Sequence, residues 1–329
     1  MVSLKTTFYT CIMKKGLPHI FLLILILVST GVTATDPVFS QFFASPVYLN
    51  PAFSGAAHCS RFAMHYQQMQ GVDHFRNINV SYDTYIPWLQ GGIGAIITSD
   101  QADMYQARHM MGLAYAYHLR ASRSTSIHFG LQAGYVRNDS RWGRFDFPAG
   151  SEDPPGQLWS HGVDFAAGIL AYNQRWYAGV AAHHMNRPQM SLFQTHGTRL
   201  PVKYTAHMGA WLESGRGTRG QPQYVISPNV IVQMQGYHTH VNAGLYVGRE
   251  PLMGGIWFRH WLDFPIEGNN SLIFLMGVMI GNYQVAYSYD HSLSGFSGIA
   301  QGTHEVSLVL KFNCSRRNIG YHILNCPTF

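Results

Sequence analysis

The chain has 329 residues, of which 47% are hydrophobic and only 12% charged, against roughly 25% charged in an ordinary soluble domain. A surface so poor in charge has to be hidden or face lipid, which argues against a soluble globular protein. The formal charge of +6 includes Lys5, Lys14 and Lys15 of an expected leader, and no Lys/Arg run alternates with aromatics, so a nucleic-acid partner is excluded.

Residues 1–34 read as a secretory signal peptide. Lys14 and Lys15 supply the positive flank, Phe21–Val28 is an unbroken apolar core, and Val32-Thr33-Ala34 places the cleavage site at Ala34. The apolar core is well short of the ~20 residues that a spanning helix needs. No later apolar run is long enough either. For an exported chain with an uncharged surface, the closed β-barrel is then the main way to lie in a membrane.

Residues 35–60 are rich in proline and aromatics. Pro37, Pro46 and Pro51 forbid long regular structure, while Phe39, Phe42, Phe43, Tyr48 and Phe53 need burial. Asn50-Pro51 and Gly55 are set for tight turns. The segment suits a periplasmic plug in a barrel or a docking contact with a partner. Its candidate docking residues are Asp36, Pro37, Phe39, Ser40, Gln41, Phe42, Tyr48, Leu49, Asn50, Pro51, Phe53 and Gly55. A strand that joins the sheet is the plainer alternative.

From residue 61 to 314 the pattern is period-two alternation, repeated many times. Phe62/Met64/Tyr66 opens it. Leu113/Tyr115/Tyr117/Leu119, Ile127/Phe129/Leu131, Trp176/Ala178/Val180 and Val241/Ala243/Leu245 continue it. Tyr283/Val285/Tyr287/Tyr289 and Val306/Leu308/Leu310/Phe312 close it, each row set against polar or small neighbours. Alternation alone leaves open which row meets lipid, because a soluble sandwich alternates too.

Strand length and linker length decide for the membrane. Segments near ten residues match tilted membrane strands. Short links at Pro87–Gln90, Ala121–Ser124, Asn173–Arg175, Arg249–Leu252 and Gly281–Asn282 intersperse with longer ones such as Asp139–Ser160, Asn186–Leu200 and Asp290–Gly302. Short turns on one rim and long loops on the other are the outer-membrane arrangement. The expected fold is all-β: a transmembrane outer-membrane β-barrel of about 14 antiparallel strands, with both termini periplasmic. Gln221–His240, with Pro222 and Pro228, and the long link Ser214–Gln221 fit least well.

Residues 315–329 form a short C-terminal periplasmic tail in which Arg316 and Arg317 offer a basic contact surface. Cys314 and Cys326 are a candidate disulfide in an oxidising compartment, with zinc ligation as the alternative; Cys59 is left over. No cofactor or catalytic constellation stands out. His183-His184, on a strand, would point to opposite faces and so could not share a metal ion, and His304-Glu305 would split likewise.

The run Asp36-Pro37-Val38-Phe39-Ser40-Gln41-Phe42-Phe43-Ala44-Ser45-Pro46-Val47-Tyr48-Leu49-Asn50-Pro51-Ala52-Phe53-Ser54-Gly55 strongly resembles the opening of the PorP/SprF family of the type IX secretion system of the Bacteroidetes. Arg141-Trp142, Asp146-Phe147-Pro148, Asp164-Phe165-Ala166-Ala167-Gly168, Lys203-Tyr204-Thr205-Ala206-His207 and Gly302-Thr303-His304-Glu305 agree with it in order. The resemblance implies an integral outer-membrane subunit of a protein-export machine. It would be needed for cargo secretion or adhesin display, with periplasmic-ring and lipoprotein partners, and it would not be an enzyme. The rival reading is an outer-membrane channel for small hydrophobic or polar solutes.

Overall fold

A computed structural model describes residues 35–70, 75–101, 106–140, 158–190, 199–216, 222–249, 251–262, 270–293, 302–312 and 314. The expected signal peptide with Ala34, and the tail with Arg316, Arg317 and Cys326, lie outside the described residues.

Fourteen antiparallel strands close into one barrel. They are β1 (Ser60–Met69), β2 (Arg76–Ile86), β3 (Gly91–Gln101), β4 (Gln106–Arg120), β5 (Ser126–Ser140), β6 (Leu158–Tyr172), β7 (Trp176–His183) and β8 (Lys203–Ala210, resuming after Trp211 as Leu212–Arg216). Next come β9 (Pro222–Gln235), β10 (His238–Arg249), β11 (Leu252–Trp261), β12 (Ser271–Ile280), β13 (Tyr283–Ser292) and β14 (Gly302–Phe312). Each strand pairs with its sequence neighbours, and β14 returns to pair with β1 from Ser60↔Phe312 to Met69↔Thr303. Closure leaves no sheet edge, which is what a strand protein in hydrocarbon requires.

The orientation of the alternation, open in the sequence, is decided by exposure. The apolar rows point outward: Leu113 is 71% exposed, Leu131 66% and Met276 66%, whereas the inward Asn77, Asn79, Ser288 and Glu305 are all at 0%. This is the reverse of a soluble sandwich, and it suits a hydrocarbon surround.

Turns sort onto two rims. At one, a 3-10 turn over Pro87–Leu89 joins β2 to β3, and short links join β4 to β5, β6 to β7 and β12 to β13. The first strand begins and the last strand ends at this rim. The opposite rim carries the longest connections, together with two short ones, the four-residue link from β3 to β4 and the link from β9 to β10. The two residues Gly236 and Tyr237 join β9 to β10 there, and Gly236 takes φ 61, a value glycine adopts without strain.

The region around Pro228, unclear in the sequence, is an ordinary strand with one interruption. The β8–β9 ladder runs Ile226↔Leu212 and resumes at Asn229↔Gly209, so the gap falls at Ser227 and Pro228. A proline has no N–H to give to a ladder. Opposite the gap, the Trp211 N–H turns away and donates to the Arg175 carbonyl at 2.7 Å.

The cysteine pairing differs from the expectation. Cys314 is bonded to Cys59, with Cα atoms 4.5 Å apart, and not to Cys326. Ser60 and Phe312 are paired across the seam, so the neighbouring Cys59 and Cys314 are carried together. Two cysteines 255 positions apart in sequence become neighbours only once the barrel closes, and the residue that seemed left over is the one used.

Candidate functional site: the filled lumen

The N-terminal segment is not a fifteenth strand. From Asp36 to Ala57 it lies inside the barrel, with Gln41, Val47, Asn50, Ala52, Ser54 and Ala56 at 0% exposure. Prolines shape it locally. Pro46 starts a four-residue helix, α1 (Pro46–Leu49), and Pro51 starts a single 3-10 turn, Pro51–Phe53, both at helix positions where the missing N–H costs nothing. Asn50 joins them: its side-chain oxygen accepts from the Ala52 N–H at 2.9 Å.

The direction of the segment corrects one expectation. Gly55 donates to Asp83 at 2.9 Å near the short-turn rim, as it must to continue into β1. Asp36, by contrast, meets Arg108 near the start of β4, Lys203 at the start of β8, His184 just past β7 and Gln235 at the end of β9. Those four residues all stand at the long-loop rim. The segment therefore spans the lumen, and its beginning lies at the opposite end from the C-terminal end of β14. The sequence had placed both termini at one rim.

The outer half is read by polar side chains. The buried Glu305 carboxylate accepts from the N–H groups of Ser40 (2.8 Å) and Gln41 (3.1 Å) and from Gln67 Nε2 (2.8 Å). Gln67 Nε2 also donates to the Val38 carbonyl at 2.9 Å. Gln41 donates to Ser288 Oγ and to the Glu305 carbonyl. Arg259, paired with Asp290, donates to Ser40 Oγ at 3.0 Å. Ser45 donates to Asn79. Phe39 stacks on His65 with ring centroids 4.9 Å apart.

At the outer end, the Asp36 carboxylate receives Lys203 Nζ at 2.7 Å, His184 Nε2 at 2.8 Å and Arg108 Nη1 at 3.3 Å. Burial by itself would raise the Asp36 pKa, but His184, Lys203 and Arg108 together hold it well below the ordinary carboxylate value. Burial likewise opposes the charge on His184. Asp36 on one ring nitrogen and Asp164 on the other outweigh it and raise its pKa to about 9.

The inner half is held differently. Leu49, Ala52, Phe53 and Ala56 join Leu170, Tyr172 and Tyr177 of the barrel wall in one apolar cluster. Asn50 donates to the Ile169 and Val180 carbonyls at 3.1 and 3.2 Å. Three inward glycines leave room for the segment, two for its main chain and one for the Asn50 side chain. A Cβ on Gly130 would stand 2.2 Å from the Ala52 nitrogen, one on Gly92 2.2 Å from the Ser54 oxygen, and one on Gly168 2.0 Å from Asn50 Oδ1. Below them, Arg61 and Asp83 form a buried pair at 2.8 Å. Phe42 and Phe43, between the halves, meet Trp257 and Tyr246.

All twelve candidate docking residues of the segment thus lie in the lumen or at its rims. Of the barrel residues that receive them, the sequence points to His184, Glu305 and Lys203 for other reasons, and gives Gln67, Asp83, Arg108 and Arg259 no separate mark. The signal that marks them is the inward, polar row of each alternating strand. Glu305 was noticed, and it does face inward with His304 on the other side. His183 and His184 do not split. His183 ends β7 facing the lumen, and His184 has left the strand with φ 58, so both are buried, and His184 serves the Asp36 and Asp164 carboxylates. Among the described residues no group of three or more His, Cys, Asp or Glu is placed to hold a metal ion.

Residues 32–310 match the family described as type IX secretion system membrane protein PorP/SprF. The chain belongs to the PorP/SprF family. This PorP/SprF protein is accordingly a component of the type IX secretion system, and its barrel lies in the outer membrane. Among solved structures it is similar to the P. putida toluene transporter TodX (TM-score 0.49, 8% identity, covering 86% of this chain and 96% of that one). It is also similar to the Acinetobacter baumannii outer membrane protein Omp33 (TM-score 0.47, 9% identity, covering 79% and 100%). No curated protein matches this PorP/SprF sequence.

Proposed function

We propose that this PorP/SprF barrel is an assembly and anchoring subunit of the secretion system, and not an open channel. It would bind periplasmic-ring and lipoprotein subunits and serve the secretion or surface display of cargo. The observation that carries this reading is the lumen itself, occupied from rim to rim by the chain's own residues 35–57 through buried polar and apolar contacts. A conduit for solutes needs a free path along its axis, whereas a filled barrel offers rims and rigid strands to partners.

In this reading the leader comprises residues 1–34 and is cleaved after Ala34. The short-turn rim and the tail 315–329, with Arg316, Arg317 and Cys326, face the periplasm. Thr35 and Asp36 stand at the cell-surface end of the lumen. Residues 35–57 form the plug.

Two measurements test the assignment. The purified protein in planar bilayers is expected to show no steady conductance, and a large open conductance would favour the solute channel instead. From native outer membranes it is expected to co-purify with periplasmic and lipoprotein subunits, and its deletion to block cargo export. Normal export from a deletion strain would overturn the reading.

A further inference from the structure

The contacts made by the outer half of the segment have the character of ligand recognition more than of core packing. Five successive sites on its main chain are read by polar side chains. Arg108 donates to the Thr35 carbonyl at 3.2 Å, Gln235 accepts from the Asp36 N–H at 2.8 Å, and Gln67 donates to the Val38 carbonyl at 2.9 Å. Glu305 accepts from two consecutive N–H groups, those of Ser40 and Gln41. From Asp36 to Ser40 the wall meets three side chains, and Ser40 is the least demanding of them, its hydroxyl accepting from Arg259 at 3.0 Å. The Asp36 carboxylate has three cationic partners, and Phe39 has a ring to stack on. Main-chain hydrogen bonds supply affinity for any extended peptide, and the charged and aromatic positions supply selectivity.

The segment is also divided mechanically. Every glycine whose added Cβ would strike it, among Gly92, Gly94, Gly130 and Gly168, faces residues 47–55. Among the described residues no such steric key faces residues 35–45. That stretch enters the lumen at the long-loop rim, and Phe42 and Phe43 pack against Trp257 and Tyr246 at its inner end.

We propose that the outer half of the lumen is a binding groove for a peptide that carries a carboxylate and, three residues later, an aromatic ring, and that Thr35–Ser45, which turns at Gln41–Ala44, fills this groove in cis. A partner segment of that chemistry, arriving from outside, would exchange with the chain's own strap. The strap is a built-in competitor that sets how strongly such a segment must bind. The inference rests on the groove alone and is independent of the assembly role.

The test uses the full mature chain in detergent or lipid vesicles, with the substitution Asp36→Asn to weaken the strap. Its titrant is a fluorescent synthetic peptide of residues 35–45, followed by anisotropy. The variant chain is expected to bind the peptide saturably and at least about tenfold more tightly than the unsubstituted chain, whose groove is occupied. A peptide carrying Asp36→Ala and Phe39→Ala should lose at least about tenfold in affinity. Amide hydrogen exchange at residues 38–44 reports whether the strap has left. Rapid exchange there without peptide binding would overturn the proposal, as would equal binding of the two peptides. Persistent protection in the variant would also overturn it, because the carboxylate would then not be what holds the strap. Loss of the secretion role in cells would leave each of these results unchanged.

Discussion

From Asn50 to Gly55 the N-terminal segment lies against inward glycines as well as against the Asp83, His118 and His128 side chains, whereas from Asp36 to Gln41 no glycine among the described residues approaches it and polar side chains hold it. The inner stretch fits because Gly92, Gly130 and Gly168 have nothing to put in its way. The outer stretch fits because Glu305, Gln67, Arg108 and Lys203 have something to offer it. Shape held at backbone distance tolerates little change. Polar partners can be remade with another peptide of matching chemistry, at about 1 kcal/mol net for an average neutral hydrogen bond and more for the charged contacts at Asp36 and Glu305. On the proposal above, one lumen contains both a fixed part and an exchangeable one.

The contrast breaks most sharply at Asp83. Its carboxylate serves both Arg61 and the Gly55 N–H, so Asp83→Ala strands a buried guanidinium and is expected to cost about 3–5 kcal/mol. Urea unfolding in detergent, followed by tryptophan fluorescence, reads this directly. A midpoint unchanged from the parent would show that the inner anchor carries no weight.

Next is the seam. Cys59→Ser removes the bond that ties the residue before β1 to the residue two beyond β14, with an expected loss of about 2–5 kcal/mol. Cys326→Ser should leave the mobility of the folded barrel on non-reducing gels unaltered. An identical mobility change from Cys326→Ser and from Cys59→Ser would mean that the tail cysteine shares in the pairing.

Gly130→Val sharpens the steric half of the comparison. Its added carbons would meet the Ala52 nitrogen and the Pro51 carbonyl carbon, an overpacking expected to cost about 1–3 kcal/mol. The same change at Gly162, where a Cβ would have only Pro188 Cβ at 3.4 Å, should cost less. Equal stabilities for the two variants would remove the argument that glycines key the plug.

The smallest effect is one of pH and belongs to the outer half. The His184 pKa is raised to about 9, above an unfolded value near 6.5. Its contribution is therefore complete below about pH 6.5 and fades as pH rises through about 9. Asp36 is depressed, so its contribution is present above its ordinary range and is lost only as pH falls below it. Hydrogen exchange at residues 38–44 should quicken at about pH 10 relative to pH 7, with residues 50–55 unaffected once the intrinsic rate is corrected. Uniform quickening would merge the two halves.

Much of the barrel was legible in the sequence because its physics is local. Rows such as Leu113/Tyr115/Tyr117 announce a two-faced strand, and links such as Asn173–Arg175 announce a turn, without knowledge of anything distant. The N-terminal segment was legible as buried and irregular, from its prolines and aromatics. What the sequence did not show depends on closure. Cys59 meets Cys314, Glu305 meets Ser40, and His184 meets Asp36 only because fourteen strands come full circle. The direction of the segment was hidden for the same reason, since nothing local tells Asp36 which rim it will reach. His184 was misread because a single residue with φ 58 undoes an alternation that the letters alone imply.

The plug is continuous with β1, and β14 seals against that same strand along its whole length. A chain cannot easily be drawn through a ring that is already shut, and here the ring would have to be crossed by aromatics as bulky as Phe42, Phe43 and Tyr48. Seating the first twenty-odd residues is therefore expected to precede zipping of the final hairpin. An inserted intermediate would then be partly built and already occupied, and a lesion in residues 36–57 is expected to slow assembly, read as delayed heat-resistant folding in pulse-chase, before it weakens the finished protein.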